Sequence, residues 1–504
     1  MKEGFLSSVE VELGEKYNIS VTENGALGYR TTGKTILDLN FAVSSLRSAG
    51  PAEIERRFLT AFFEDKMVAM KWLFFARDAR SGLGERRLFR LAFKMLATSL
   101  PEYATPVIGL IPFYGRFDDM WQLLDTKLAD DVLKLVKTQL DLDINGERPS
   151  LLAKWLPSSN TSSDESRRFA KIIIKSLGLT ESAYRKTLSK LREKLDVVER
   201  KMTSKSWGEI NYESVPSNAN VVYRGAFLRN DETRRREFLG DLERGEAKIN
   251  ASVLFPPQIA HSYADSRQVD PTIEALWKAL PDTVGGEGNA IVVADGSGSM
   301  TCTVGNTNVS ALTIANSLAI YIAERASGEF KDRYITFSGR PQLVDLSKGN
   351  SLYEKLKIAL THSEIANTNV EAVFALILNT ALNGKMSQND LPKRVIIISD
   401  MEFDLCACSN SGAVGKRLFE EIGERYANAG YALPKLVFWN VCSRTGTIPV
   451  TQNELGVTLV SGFSTNILKM VLSDETDPYE NLLAVLNGER YAPVEAALKE
   501  AGVL

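Results

Sequence analysis

Ala290-Ile-Val-Val-Ala-Asp295-Gly-Ser297-Gly-Ser299 sets a short apolar run directly against oxygen-bearing side chains spaced by glycine. A continuous β-type run that ends on a Gly/Ser cluster predicts a buried strand stopping at a tight loop. The glycines at 296 and 298 permit the turn such a loop requires. Working outward, a helix is expected from about Val309 to Ala326, and further apolar strands over Arg333–Phe337, Arg394–Ser399 and Lys435–Val441. Helical stretches near Val370–Leu382 and Val414–Ala429 lie between them. Strands alternating with helices predict an α/β, Rossmann-like fold with a parallel sheet covered on both faces. Ligands of such sheets bind in loops outside the carboxyl ends of the strands.

Three of those loops carry the polar residues. They are Asp295-Gly-Ser297-Gly-Ser299 after IVVA, Asn367-Thr368-Asn369 before a helix, and Ser399-Asp400 after RVIII. DxSxS alone is short enough to occur by chance. Its placement after a buried strand, with Thr and Asp loops following in order, resembles the von Willebrand factor A family. The resemblance implies a metal-ion-dependent adhesion site (MIDAS) formed by Asp295, Ser297, Ser299, Thr368 and Asp400. Mg²⁺ takes six oxygen ligands near octahedral geometry and releases its waters reluctantly. Hydroxyls would supply neutral oxygens and the aspartates charge, leaving one position for a partner's Asp or Glu. The expected cofactor is Mg²⁺ or another divalent cation.

Catalysis is not expected. Gly296-Ser297-Gly298 is not GxSxG, neither His261 nor His362 is tied by a motif to a serine, and GxxxxGK[ST] is absent. Two histidines in 504 residues also argue against a zinc hydrolase. Four cysteines are too few for a disulfide scaffold, and the Cys406-x-Cys408 pair has no partner pair to complete a zinc set. A net charge of −3 says nothing for or against nucleic acid. The N-terminus lacks the apolar core of a signal peptide and no apolar stretch is long enough to span a bilayer. The expectation is a soluble, cytoplasmic protein with no membrane partner.

Before residue 285 the rhythm is helical. Pro51–Phe63, Lys66–Arg77, Arg86–Thr98, Leu128–Asp141, Ser166–Ser176, Ser182–Lys201 and Thr233–Arg244 space apolar residues by three and four. Stacked helical hairpins would give this pattern, although no strict repeat is visible. The aromatics Trp72, Phe74, Phe75, Trp121 and Trp155 sit in apolar context and read as core. Pro256-Pro257 in Ala251–Tyr263 is expected to stop a helix, with its apolar flanks packing against the next domain.

Several phrases of this half carry a second resemblance. They are Thr22-Glu-Asn-Gly25 followed by TTG, Arg77-Asp-Ala-Arg80-Ser-Gly82-Leu-Gly84-Glu-Arg86, Tyr114-Gly-Arg116-Phe-Asp118-Asp-Met-Trp121, Ala153-Lys-Trp155-Leu-Pro157, and the run from Tyr184 through KMTSKSWGEINYESVPS to Asn250. With the C-terminal domain they resemble the DUF2828 family of bacterial, phage and plant proteins. More distantly, by architecture and the RxxRxGxGxR phrase, the chain resembles the Ro/TROVE RNA-binding proteins, which pair a HEAT-like helical ring with a von Willebrand A domain.

That resemblance implies RNA binding by the helical domain. The bases placed to serve it are Arg77, Arg80 and Arg86; Arg185, Lys186, Lys190 and Arg192; and Arg234, Arg235 and Arg236. Guanidinium groups suit phosphate, and Trp207 or Tyr212 could stack on bases. Glu85, Glu193, Glu199 and Glu237 lie among these bases, so the same stretches read equally as solvated helix faces. The expected division is a helical HEAT-like, TROVE-like domain over residues 1–285 and a von Willebrand A domain over 286–504. The expected function is a non-enzymatic binder, with RNA on the helical domain and an acidic protein partner on the MIDAS. The alternative is a protein-binding scaffold or assembly factor, in a bacterial or phage-infected cell.

Overall fold

The computed structural model describes residues 16–504 apart from 26, 265, 267, 285–288, 306, 338–339, 364–368, 404–415, 450–456 and 473–476. Cys406 and Cys408 therefore lie outside the described residues. The chain divides into two compact units. One comprises residues 1–65 and 254–485, the other 66–253 and 486–504. Where one boundary is expected near 285, the chain passes between the units three times, at 65/66, 253/254 and 485/486, so that a segment from each end of the chain groups with the unit built from the opposite half.

The first unit begins with two short strands, β1 (Ser20–Val21) and β2 (Leu27–Gly28), paired antiparallel. Its centre is a six-stranded sheet of β3 (Ala290–Asp295), β4 (Arg333–Phe337), β5 (Leu343–Asp345), β6 (Arg394–Ser399), β7 (Lys435–Asn440) and β8 (Val457–Ser461). The order is β5-β4-β3-β6-β7-β8, parallel throughout except that β5 runs antiparallel to β4. From β3 the chain goes outward to β4 and β5, then returns to the other side of β3 as β6. β3 and β6 therefore flank the switch point, where such sheets bind ligands. Every residue of β3 and β6 is buried, as their unbroken apolar runs require. The helix Ala311–Arg325 packs on β3, β4 and β6, and all but a few of its residues are buried.

The three central strands and β7 fall where the sequence places them. β5 and β8 were not anticipated: β5 has three residues, and β8 lies in a Gly/Asn-interrupted stretch. The N-terminal helices Thr35–Phe41 and Val43–Leu46 sit at the carboxyl ends of β7 and β8. There Asn440 Nδ2 donates to Phe41 O (2.9 Å), and Ser44 N donates to Ser461 Oγ (3.0 Å). Pro256 and Pro257 open the helix Pro256–His261 instead of stopping one. Proline is tolerated in a first turn because its missing N–H has no intrahelical partner to lose.

The second unit is helical. Its main helices are Lys66–Arg77, Arg86–Ser99, Ala129–Asn145, Asp164–Ser176, Glu181–Lys194, Ser217–Asn230, Glu232–Arg244 and Ala492–Glu500. The helix expected over Ser182–Lys201 is broken in two at Asp196, which has a positive φ (51°). Phe74, Phe89, Phe93, Tyr114 and Tyr491 make edge, tilted and stacked ring contacts at its core. Trp72, Phe75 and Trp121 are buried with them as expected, while Trp155 is half-buried beneath the Arg116 guanidinium (4.1 Å).

Candidate functional site

Asp295 ends β3 and Ser399 ends β6, so pairing of these strands brings both loops to one sheet edge. Asp295 Oδ1 accepts the Ser297 backbone N–H (2.8 Å), which closes the glycine-lined turn, and Ser297 Oγ lies 2.9 Å from Ser299 Oγ. Ser399 Oγ donates across the strands to Asp295 Oδ2 (2.6 Å). The next loop folds back on itself. Met401 adopts the left-handed region (φ 63°), uncommon outside glycine, and its N–H reaches Ser399 Oγ (3.0 Å) while Glu402 N–H reaches Asp400 Oδ1 (3.2 Å). Of the five expected ligands the structure brings together Asp295, Ser297, Ser299 and Asp400. Thr368 lies outside the described residues.

Electrostatically the cluster is dominated by its carboxylates, with Arg444 at its edge. Asp295 and Asp400 are both fully buried. Burial, reinforced by the Asp400 charge, pushes the Asp295 carboxyl up to about 7. Burial also raises Asp400, against the opposing pull of Ser299, the Glu402 N–H and Arg444. Asp400 Oδ2 is buried and accepts no hydrogen bond among the described residues. Two carboxylates held this way, beside two hydroxyls, form an oxygen-rich donor set of the kind a hard divalent cation takes. Among the described residues no group of three or more His, Cys, Asp or Glu could hold a metal, so any site here depends on hydroxyl oxygens.

Four neighbouring features were not anticipated. Glu402 is buried, and its carboxylate accepts the N–H groups of Glu23 (2.8 Å), Arg444 (2.7 Å) and Thr445 (2.9 Å) and the Thr445 hydroxyl. It thereby ties the 440s loop and the Thr22–Gly25 turn to the strand-end cluster. Thr22 Oγ1 donates to Phe403 O (2.7 Å) and Asn24 Nδ2 to Glu402 O (2.6 Å), so the TENG phrase is a clasp on this loop. Arg444 Nη2 stands 3.4 Å from Asp400 Oδ2 and also pairs with Glu23. Cys302 and Cys442, 140 residues apart, bring their sulfurs to 3.8 Å beside the cluster. The contact with Cys442 and the nearby Arg444 guanidinium lower the Cys302 thiol to about 7. A charged residue two places past Asp400 was visible in the sequence; no spacing signal links it to residues 23 or 444.

In the helical unit the expected RNA contacts divide sharply. Arg77 is buried and ion-paired with Asp119 (2.7 Å). Arg86 pairs with Asp118 and Asp119, and Arg90 joins them (2.7 Å to Asp119). Burial alone would raise the Asp119 carboxyl, but Arg77 and Arg90 hold it below its ordinary range. Gly82 packs so tightly that an added Cβ would lie 2.0 Å from Phe75 O, so RDARSGLGER is an internal helix junction. Arg192 donates to Ala153 O (2.8 Å) and Leu156 O (2.9 Å), and Arg234 to Ile210 O (2.8 Å) and Asp231 (2.9 Å). Arg235 is 0% exposed, enclosed by the rings of Tyr212, Phe227 and Phe238.

Arg77, Arg192 and Arg235 thus face the interior: Arg77 is paired with Asp119, Arg192 is bonded to backbone carbonyls, and Arg235 is buried among aromatic rings. Arg236 is exposed but paired with Glu232 (2.8 Å), and exposed Arg80 donates to Phe113 O (3.1 Å). Arg185, Lys186 and Lys190 are exposed and form no ion pair among the described residues.

The model of the domain of unknown function DUF2828 matches residues 117–289, and that of DUF7788 matches residues 289–497. The uncharacterized protein L728 of Acanthamoeba polyphaga mimivirus is 30% identical over 521 residues, covering 95% of this chain and 89% of that protein. The crystal structure of the Deinococcus radiodurans Ro (RSR) protein is similar over 89% of this chain and 93% of that one, at 14% identity and a TM-score of 0.37. The chain belongs to the DUF2828 family. No described helix is long and apolar enough to cross a membrane.

Proposed function

We propose that the α/β unit is a von Willebrand factor A-type domain that captures an acidic partner through a divalent cation, with no catalytic role. Asp295, Ser297, Ser299 and Asp400 would hold the ion, with Thr368 as the remaining ligand. Mg²⁺ fits an all-oxygen set in which hydroxyls leave the ion enough residual charge to attract an outside carboxylate. The observation that carries this reading is the meeting of two buried carboxylates and two hydroxyls at the β3–β6 switch point, with Asp400 Oδ2 accepting no hydrogen bond. A ligand that binds only the folded state at 100 times its Kd stabilises it by about 2.7 kcal/mol. Saturating Mg²⁺ should therefore raise the melting temperature of the α/β unit by about 5 °C or more over EDTA. Asp295→Ala should abolish that rise; a rise of equal size in the variant would refute the site.

A second reading concerns the helical unit, which we take to be Ro/TROVE-like and to bind RNA on the face of Glu181–Lys194. Its support is the trio Arg185, Lys186 and Lys190, exposed and without an acidic partner among the described residues, whereas most of the other candidate bases serve the fold. Reversing all three to glutamate should weaken the gel shift of a structured RNA at least tenfold at low salt. Wild-type affinity should also fall steeply as salt rises, because phosphate contacts release counterions. An unshifted RNA at low salt would leave the protein-scaffold alternative standing.

A further inference from the structure

The cation arrangement around Asp400 carries one step more, resting on the metal reading above. The Asp400 charge has a resident cation beside it. Arg444 Nη2 lies 3.4 Å from Asp400 Oδ2, the same oxygen that accepts no hydrogen bond. A contact of that length without hydrogen-bond geometry is a charge neighbour more than a fixed bond. The other side of the guanidinium is taken by Glu23, to which both Nε and Nη2 reach.

The two ends of this arrangement differ in mobility. The backbone of Arg444 is pinned, because its N–H and that of Thr445 donate to buried Glu402. The Glu23 backbone is pinned to the other oxygen of the same carboxylate (2.8 Å), and Gly25 closes its turn on Thr22 O (3.0 Å) with a positive φ of 88°. The Arg444 side chain, by contrast, is 34% exposed, with its guanidinium on Glu23 and beside Asp400. Glu23 is thus a fixed, exposed acceptor just outside the site that already holds the guanidinium.

We infer that Arg444 is a displaceable counter-ion for Asp400, competing with the divalent cation, and that Glu23, which already holds its Nε and Nη2, retains it when the ion binds. A guanidinium and a divalent ion a few ångströms apart repel strongly in a site with little water, so both cannot neutralise Asp400 together. The device sets the metal affinity. It keeps the two buried carboxylates tolerable without an ion, and it makes loading depend on the N-terminal clasp that carries Glu23.

The test is Mn²⁺ binding to the full-length chain, read by the loss of free-ion EPR signal, with circular dichroism to verify folding. Arg444→Gln should bind Mn²⁺ at least tenfold more tightly than wild type. Arg444→Lys, which keeps the charge, should stay near wild type. Glu23→Gln should bind severalfold more weakly, since Arg444 loses its alternative partner. Asp295→Ala should bind none. If wild type binds and Asp295→Ala does not, yet Arg444→Gln is unchanged or weaker, the counter-ion role is wrong and the metal site stands. If Asp295→Ala binds as wild type does, or no protein binds Mn²⁺, the metal site fails and takes this inference with it.

Discussion

Asp119→Ala is expected to destabilise the helical unit by ~3–5 kcal/mol, the usual loss when one partner of a buried ion pair is removed. Asp119 is 0% exposed and receives Arg77 Nη2 (2.7 Å), Arg90 Nε (2.7 Å), Arg86 Nε (3.1 Å) and the Arg116 backbone N–H (3.0 Å). Removing it takes away the one ion-pair partner Arg77 has among the described residues, and the desolvation its guanidinium has already undergone goes uncompensated. A urea titration followed by tryptophan fluorescence should show the midpoint of the helical transition fall by roughly 1–3 M. Arg86→Ala offers the contrast: its side chain is 40% exposed, so water replaces part of what is lost and the effect should stay nearer 1 kcal/mol. Equal effects for the two variants would mean that Asp119 acts through shape and not charge.

Glu402→Gln is the second large effect, although the substitution barely changes volume. Three backbone N–H groups and two hydroxyls point at this carboxylate. A glutamine must turn its own NH₂ toward donors on one side, so at least one buried donor loses its acceptor and another meets a like pole. The cost expected is ~2–4 kcal/mol, a charged-acceptor bond plus an unsatisfied donor. Its signature is local. The TENG clasp should detach before the sheet melts, and trypsin should cut after Arg30 at urea concentrations that leave wild type intact. Unaltered protection at Arg30 would show that the clasp is held by other contacts, such as the Tyr29–Ile448 bridge.

The sheet centre was legible because β3 and β6 are buried on both faces and so read as continuous apolar runs with turns at their ends. The Asp295 loop and Asp400 followed from those ends. β5 escaped because three residues at a sheet edge leave no period to detect. Ser217–Asn230 escaped for a different reason: its apolar residues are spread around the helix, with no single face. The basic stretches were visible as composition but not as geometry. Arg234, Arg235 and Arg236 are adjacent in sequence, yet successive helix positions point about 100° apart, sending one to backbone carbonyls, one into the core and one to Glu232. Glu402 and Arg444 were out of reach because their roles depend on loops separated by tens to hundreds of residues.

The interleaving of the two units has a consequence for synthesis on the ribosome. Residues 1–65 emerge first but belong to a unit whose last strand, β8, comes near residue 461, and the helical unit waits for residues 486–504. Neither part can finish as its own amino-terminal section appears, and contacts this distant in sequence are slow to form. A nascent chain will expose the apolar faces of Thr35–Leu46 for most of elongation, which makes it a natural client for chaperones. A gene cut at codon 285 should yield two aggregating fragments instead of two domains, whereas co-expression of such fragments offers a route to reassembly.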